Sequence, residues 1–284
     1  MKRLSDIGTI KDILSRYGFN FSKGLGQNFL INPSVCPRMA ELSGAGEGVG
    51  VIEIGPGIGV LTQELCELAD KVVAVEIDKR LIPVLDETLG DYDNIKVINE
   101  DVLKLDLNKL IEDEFKGMKV VVCANLPYYI TSPVIMKLLE DKLNIEAITV
   151  MVQKEAAQRI CAEVGSRESG AVTVSVNFYS KPEMLFQVSA GSFMPAPKVD
   201  SAVMRLNVYE KPLFELEDEK KFFTVVKAAF AQRRKTVLNS ISSSLGLEKS
   251  VVNDVLLDSG VDPRSRAEKL SMNDFAEISR RIKL

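Results

Sequence analysis

Short runs of branched apolar residues recur along the first two thirds of the chain, separated by segments with a helical pattern. GVIEI (50–54), KVVVCA (119–124) and IEAITVMV (145–152) show little polar alternation, which predicts strands buried on both faces of a parallel sheet. KVVAVEI (71–77) and NIKVIN (94–99) predict two more strands, and 184–189 with 202–209 a closing antiparallel pair. Helices are expected over 60–69, 132–141, 153–163 and 169–179, with Pro133 near the start of the second. An amphipathic helix is expected within 1–20, with Ile10, Ile13 and Leu14 on one side. This alternation implies an α/β domain on a mainly parallel, seven-stranded sheet. After Tyr209–Pro212 no β-like run follows and the pattern turns helical, up to a last helix from about Asn273. The expected domains are 1–209 and a small all-helical 210–284.

The ends of these strands carry the candidate chemistry. Pro127 cannot donate to a ladder, so the strand from Lys119 must stop at Asn125-Leu126-Pro127-Tyr128. Ligands of open α/β sheets bind beyond the carboxyl ends of the strands, so Asn125, the Leu126 carbonyl and Tyr128 are expected to face the crevice. Two acceptors, Asn125 Oδ1 and the Leu126 oxygen, suit the two N–H donors of an exocyclic base amine. They favour a more pyramidal, more nucleophilic nitrogen. Tyr128 offers a face for stacking a flipped base. The plainer reading is a strand-ending turn with a half-buried tyrosine.

Gly55-Pro56-Gly57-Ile58-Gly59 follows the first strand and precedes a helix, the general layout for nucleotide binding, although Val60 stands where a dinucleotide fingerprint has glycine. Glu76, 21 residues after Gly55, has the spacing of an acid that grips ribose hydroxyls. Glu53, Glu76, Asp78, Glu100 and Asp101 all fall near strand ends, with Asp78 and Glu100 read as solvated loop acids. So many carboxylates repel a diphosphate and suit a sulfonium cation, which favours S-adenosylmethionine over NAD. The loop 22–30 reads either as an ordinary surface loop or as a lid with Gln27 and Asn28 as its polar contacts. Two prolines stiffen the segment 193–201 and present Phe193 as a second aromatic for the base, unless its ring is simply core.

Composition narrows the chemistry further. Among 284 residues there is no histidine, which excludes Ser-His triads, HExxH zinc sites and a histidine base. No metal site is expected. Four scattered cysteines fit a reducing compartment, and the N-terminus shows no secretory pattern, so a cytoplasmic location is expected. No apolar run approaches the ~20 residues of a membrane span. The net charge is −4, yet Lys220–Ser240 holds Lys220, Lys221, Lys227, Arg233, Arg234 and Lys235 and no acid. Such a basic helical stretch in an acidic chain points to phosphate contact, against the plainer reading of a solvated face.

Taken in order, GLGQNFL, EIGPGIGVLT, VEID, NED, NLPYYIT, FMPAPKVDSAV, AFAQRRKTVLNS and GVDPRSRAEKLS resemble the KsgA/RsmA-type 16S ribosomal RNA adenine N6,N6-dimethyltransferases. The resemblance runs from about Phe21 to Ile278. It implies a class I, Rossmann-like S-adenosylmethionine-dependent methyltransferase domain with a small helical domain. It also implies four methyl transfers to two adjacent adenosines near the 3′ end of 16S rRNA, within the immature 30S subunit, by a monomer. By similarity, Asn28 and Leu30 line the cofactor pocket, Gly55 contacts the methionine part, Glu76 the ribose and Asp101 the adenine, and Asn125 sits at the reacting end. The alternatives are a DNA adenine methyltransferase, whose motif has proline where Leu126 stands, a non-enzymatic RNA-binding module, and a nicotinamide dehydrogenase.

Overall fold

The structure, a computed structural model, describes residues 4–18 and 28–284. Helix α1 (Ile7–Arg16) is capped by Asp6, whose carboxylate accepts the Thr9 N–H, and it buries Ile10, Ile13 and Leu14 as the apolar spacing requires. A two-residue strand β1 (Phe29–Leu30) and helix α2 (Val35–Ser43) follow. The sequence reading did not anticipate α2. It has no side-chain cap and carries Pro37 in its first turn, and it stops at Gly44, which takes a left-handed φ of 89°.

The alternating core comprises β2 (Val49–Ile54), α3 (Val60–Leu68), β3 (Lys71–Glu76), α4 (Ile82–Thr88), β4 (Ile95–Asn99), α5 (Leu107–Glu114), β5 (Lys119–Asn125), α6 (Thr131–Glu140) and β6 (Ala147–Gln153). Then come α7 (Lys154–Ile160), α8 (Ala171–Tyr179), β7 (Ser180–Val188), β8 (Phe193–Met194) and β9 (Ser201–Val208). Seven of these strands form one sheet in the order β4-β3-β2-β5-β6-β9-β7. The pairs β2–β3, β3–β4, β2–β5 and β5–β6 are parallel, and β9 runs antiparallel to β6. Strand β2 is buried along its whole length, Glu53 included, as a strand covered on both faces is. The expected mainly parallel, seven-stranded sheet is therefore the one observed. Strands β1 and β8 form a separate small antiparallel ladder, Leu30 opposite Phe193.

Helices α9 (Glu219–Phe230), α10 (Val237–Leu245), α11 (Lys249–Asp258) and α12 (Met272–Arg281) make up the C-terminal part, with no strand among them. The chain divides into two compact units, Met1–Ala157 with Glu183–Val208, and Gln158–Pro182 with Tyr209–Leu284. Residues 158–182, expected in the first domain, thus belong with the C-terminal helices. The reason is an aromatic cluster: the Phe178 ring lies 4.9 Å from Tyr179, 5.4 Å from Phe214 and Phe222, and 5.5 Å from Phe223. The basic stretch is also not one helix. It breaks after Phe230, and Thr236 caps a new helix by accepting the Asn239 N–H. Among the described residues no helix is long and apolar enough to cross a membrane.

The register of β2 rests on close packing beneath it. A methyl group on Gly50 would fall inside the Phe115 ring, which is 2% exposed and has nowhere to move. Gly50→Ala should therefore destabilise the protein by about 1–3 kcal/mol, read as a lowered urea midpoint, whereas Gly46→Ala, in open space, should shift it far less.

Candidate active site

Strand β2 is where the strand order reverses: β3 and β4 lie to one side of it, β5 and β6 to the other. Crevices open at such switch points, beyond the carboxyl ends of the strands. The β2–β5 register sets Ile54 against Ala124, so the next residues, Gly55 and Asn125, emerge side by side. A cavity of about 340 Å³ lies there. Every expected cofactor residue lines it (Asn28, Leu30, Gly55, Glu76, Asp101 and Asn125), and so do Leu126, Tyr128 and Phe193. Gln27 lies outside the described residues.

The glycine turn is shaped by backbone conformation and by one carboxylate. Gly55 and Gly57 have φ of 69° and 62°, values that a side chain would strain. The Gly57 N–H donates to Glu76 Oε2 at 3.3 Å, and the Asp78 N–H donates to Glu76 Oε1 at 2.8 Å. Burial pushes the Glu76 carboxyl upward, and these backbone donors oppose the rise. Glu76 thus holds the turn while keeping free lone pairs toward the cavity.

Glu53 is the cavity's other buried acid. It is 1% exposed, and its Oε2 has no hydrogen-bond partner. Burial pushes its carboxyl up to about 8; the Thr62 hydroxyl opposes the rise and Glu76 adds to it. Glu100 and Asp101 complete the set of acids, and no lysine or arginine lines the cavity among the described residues. Asp78 differs from the expectation of a solvated acid. It is 6% exposed and off the cavity wall, held by Arg80 through Nε at 2.8 Å and Nη2 at 2.6 Å. The acids lining the crevice are therefore Glu53, Glu76, Glu100 and Asp101, with Glu53 charged only once its raised pKa of about 8 is passed. This donor set fits a cationic ligand without phosphate and disfavours a dinucleotide.

At the tip of β5 the Leu126 N–H donates to the Met151 carbonyl at 3.1 Å, which ties the turn to β6. Pro127 has φ −55° and ψ 134°, and its carbonyl accepts the Ile130 N–H at 3.2 Å. The Leu126 carbonyl takes no hydrogen bond from the described residues, and neither does the Asn125 side chain, so both acceptors are available to a ligand. The Leu126 side chain itself is buried and serves only to anchor the turn. Tyr128 is half-buried, and its hydroxyl is 2.8 Å from Ser201 Oγ on β9. Burial raises its phenol pKa, opposed by this bond.

For Phe193, read from sequence as either a second aromatic for the base or core, the structure shows a core position on the cavity wall. It is 4% exposed and packs with Leu30 in the core, forming wall rather than a free platform. Ser201 and the isolated state of Glu53 were not legible in the sequence as site features. A serine two strands away, on β9, has no spacing relation to Tyr128, and burial of one acid among five has no local signature. Of the basic residues, Lys220, Lys221 and Lys227 lie on α9, whereas Arg233, Arg234 and Lys235 sit exposed in the turn before α10.

Comparison with known proteins agrees with this geometry. The model of the ribosomal RNA adenine dimethylase family matches residues 18–284. The chain is 48% identical over 283 residues to the ribosomal RNA small subunit methyltransferase A of Alkaliphilus oremlandii (strain OhILAs), covering 99% of each. It is 46% identical to the protein of that name from Bacillus mycoides (strain KBAB4), over 98% of this chain and 97% of the other. Among solved structures it is similar to a dimethyladenosine transferase from Plasmodium falciparum (TM-score 0.71, 28% identity, 88% of this chain and 95% of that one). It is also similar to the 23S rRNA methyltransferase ErmE (TM-score 0.68, 28% identity, 89% and 99%). With a seven-stranded switch-point cavity, an intact Asn-Leu-Pro-Tyr tip and a match over nearly its full length, the chain belongs to the ribosomal RNA adenine dimethylase family.

Proposed function

We propose that this protein dimethylates the N6 amines of two adjacent adenosines in the 3′-terminal hairpin loop of 16S rRNA, using S-adenosylmethionine, during late assembly of the small ribosomal subunit. It would act as a monomer in the cytoplasm. One observation carries the reading: a single cavity joins the glycine turn and its buried acids to the Asn125–Tyr128 tip. The acids suit the cofactor's cations, with Gly55 beside its methionine part, Glu76 on the ribose, Asp101 on the adenine, and Asn28 and Leu30 along the wall. When bound, the cofactor supplies an electrophilic methyl group on a sulfonium.

The chain's own part is positioning. Asn125 Oδ1 and the Leu126 carbonyl accept hydrogen bonds from the two amine N–H groups and aim the nitrogen lone pair. These two acceptors would present that nitrogen to the cofactor's methyl group, and the surplus amine proton would pass to water. A methylated ammonium on an aromatic ring is acidic enough to need no strong base, in keeping with a chain that has no histidine. The ring of Tyr128, held by Ser201, stacks on the extruded adenine, and Phe193 closes the wall. After one methylation the amine keeps a single N–H, so one of the two acceptors is dispensable in the second round. Lys220, Lys221, Lys227, Arg233, Arg234 and Lys235 would contact rRNA phosphates.

The direct test is incubation with unmethylated 30S subunits and labelled S-adenosylmethionine, followed by mass mapping of the modified nucleotides. Asn125→Ala should lower kcat by on the order of 10²–10³, the usual cost of removing one aimed hydrogen-bonding group. Reversing Arg233 and Arg234 to glutamate should weaken subunit binding and flatten its salt dependence by about one unit of slope per lost phosphate contact, while cofactor affinity is retained. Glu53 makes cofactor binding pH-dependent. Below its raised pKa of about 8 the carboxyl is protonated, and pairing with a cation requires that proton to leave. Affinity should therefore climb as pH rises toward 8, with proton release seen by calorimetry in buffers of different ionisation enthalpy. The cofactor's own α-amine titrates at about 8, so Glu53→Gln is the reference: it should bind more weakly and release less proton.

A further inference from the structure

Drawing one adenine out of an RNA strand leaves its neighbour without a stacking partner, and the rim of the cavity carries a ring placed to replace it. Tyr129 lines the cavity yet is 58% exposed, more than any other aromatic residue among those described. Tyr17, the next at 38%, has its hydroxyl occupied by Glu87 at 2.6 Å. Tyr129 shares a short 3₁₀ turn, Tyr128–Ile130, with its neighbour, but the two rings sit at different depths. Tyr128 is half-buried and fixed by Ser201, whereas Tyr129 has no hydrogen-bond or ring partner among the described residues. A large exposed ring on the rim of a binding cavity is placed to bury its face against a ligand's base. Among the described residues no lysine or arginine lines the cavity, so the turn offers a flat face rather than charge, which suits a base rather than a phosphate.

Resting on the reading above, we propose that Tyr129 stacks on the base next to the extruded adenine, which is the second target adenosine. It is a positioning residue: it holds the waiting nucleotide at the rim while Tyr128 grips the reacting one. Two rings on successive residues would thus match two adjacent target bases and keep the pair engaged between rounds.

The test compares the wild-type protein with Tyr129→Ala and Tyr129→Phe on unmethylated 30S subunits. One set of subunits is native, and a second is reconstituted with an abasic residue in place of the neighbouring adenosine. Tyr129→Ala should raise KM for native subunits on the order of tenfold, with the loss falling on KM rather than kcat and the unfolding midpoint unmoved. Tyr129→Phe, which keeps the ring, should restore KM to within about twofold. The abasic substitution should cost the wild-type protein as much as Tyr129→Ala does, and cost the alanine variant little more. If Tyr129→Ala stays within twofold of wild type, or if the ring and base losses simply multiply, Tyr129 does not stack on the neighbour and the proposal is overturned, while methylation by the wild-type protein leaves the function intact. If wild type methylates neither adenosine, the function reading fails first and this one with it.

Discussion

The parallel ladder between β2 and β5 is the constraint on which the site depends. It places Ile54 beside Ala124, and therefore the glycine turn beside the Asn-Leu-Pro-Tyr tip. A slip of one residue would exchange the faces of every side chain on the strand and separate the two motifs. What prevents a slip is burial on both faces together with close packing under Gly50, where the Phe115 ring fills the space that any side chain would need. The chemistry is thus referenced to an apolar core several residues away from it.

That same core sets the electrostatics. Glu53 and Asp78 are both acids at strand ends, and both are almost fully buried. Asp78 gains a bidentate arginine and becomes structural, while Glu53 gains no ion pair and is left with an unpartnered oxygen at the cavity wall. Glu76 lies between these cases, ordered by two backbone N–H groups. A buried carboxylate without a partner is costly, and a cation entering the cavity relieves that cost. The crevice is in this sense suited to positive charge, and its glycine turn is held by one of its own acids, Glu76.

The tip of β5 shows the same division between anchored and available groups. The Leu126 side chain and N–H are committed to the core and to β6, which leaves its carbonyl and the Asn125 amide unengaged. The Tyr128 ring is steadied from β9 through Ser201. The two acceptors proposed to meet a substrate carry no partner among the described residues, and the groups behind them are tied down. Such an arrangement suits the positioning role proposed for the tip.

Much of the fold could be read directly from residue order, because buried parallel strands leave unbroken apolar runs and Pro127 and Gly55 end them by local sterics. The motifs that meet in the cavity were legible for the same reason, each being contiguous in the chain. Helix α2 was not, since it lacks a capping side chain and carries Pro37. Neither was the membership of 158–182 in the second unit, which is decided by ring contacts between Phe178 and residues some 40 positions later. Burial also escaped local pattern: the sequence left Phe193 open between a base platform and core, and it is core, while Asp78 looked solvated and is paired. Short-range sterics and periodicity are written in neighbouring residues. Which acid is left alone, which ring faces water and which strand steadies a phenol depend on groups far apart in the chain, and only their packing together settles it.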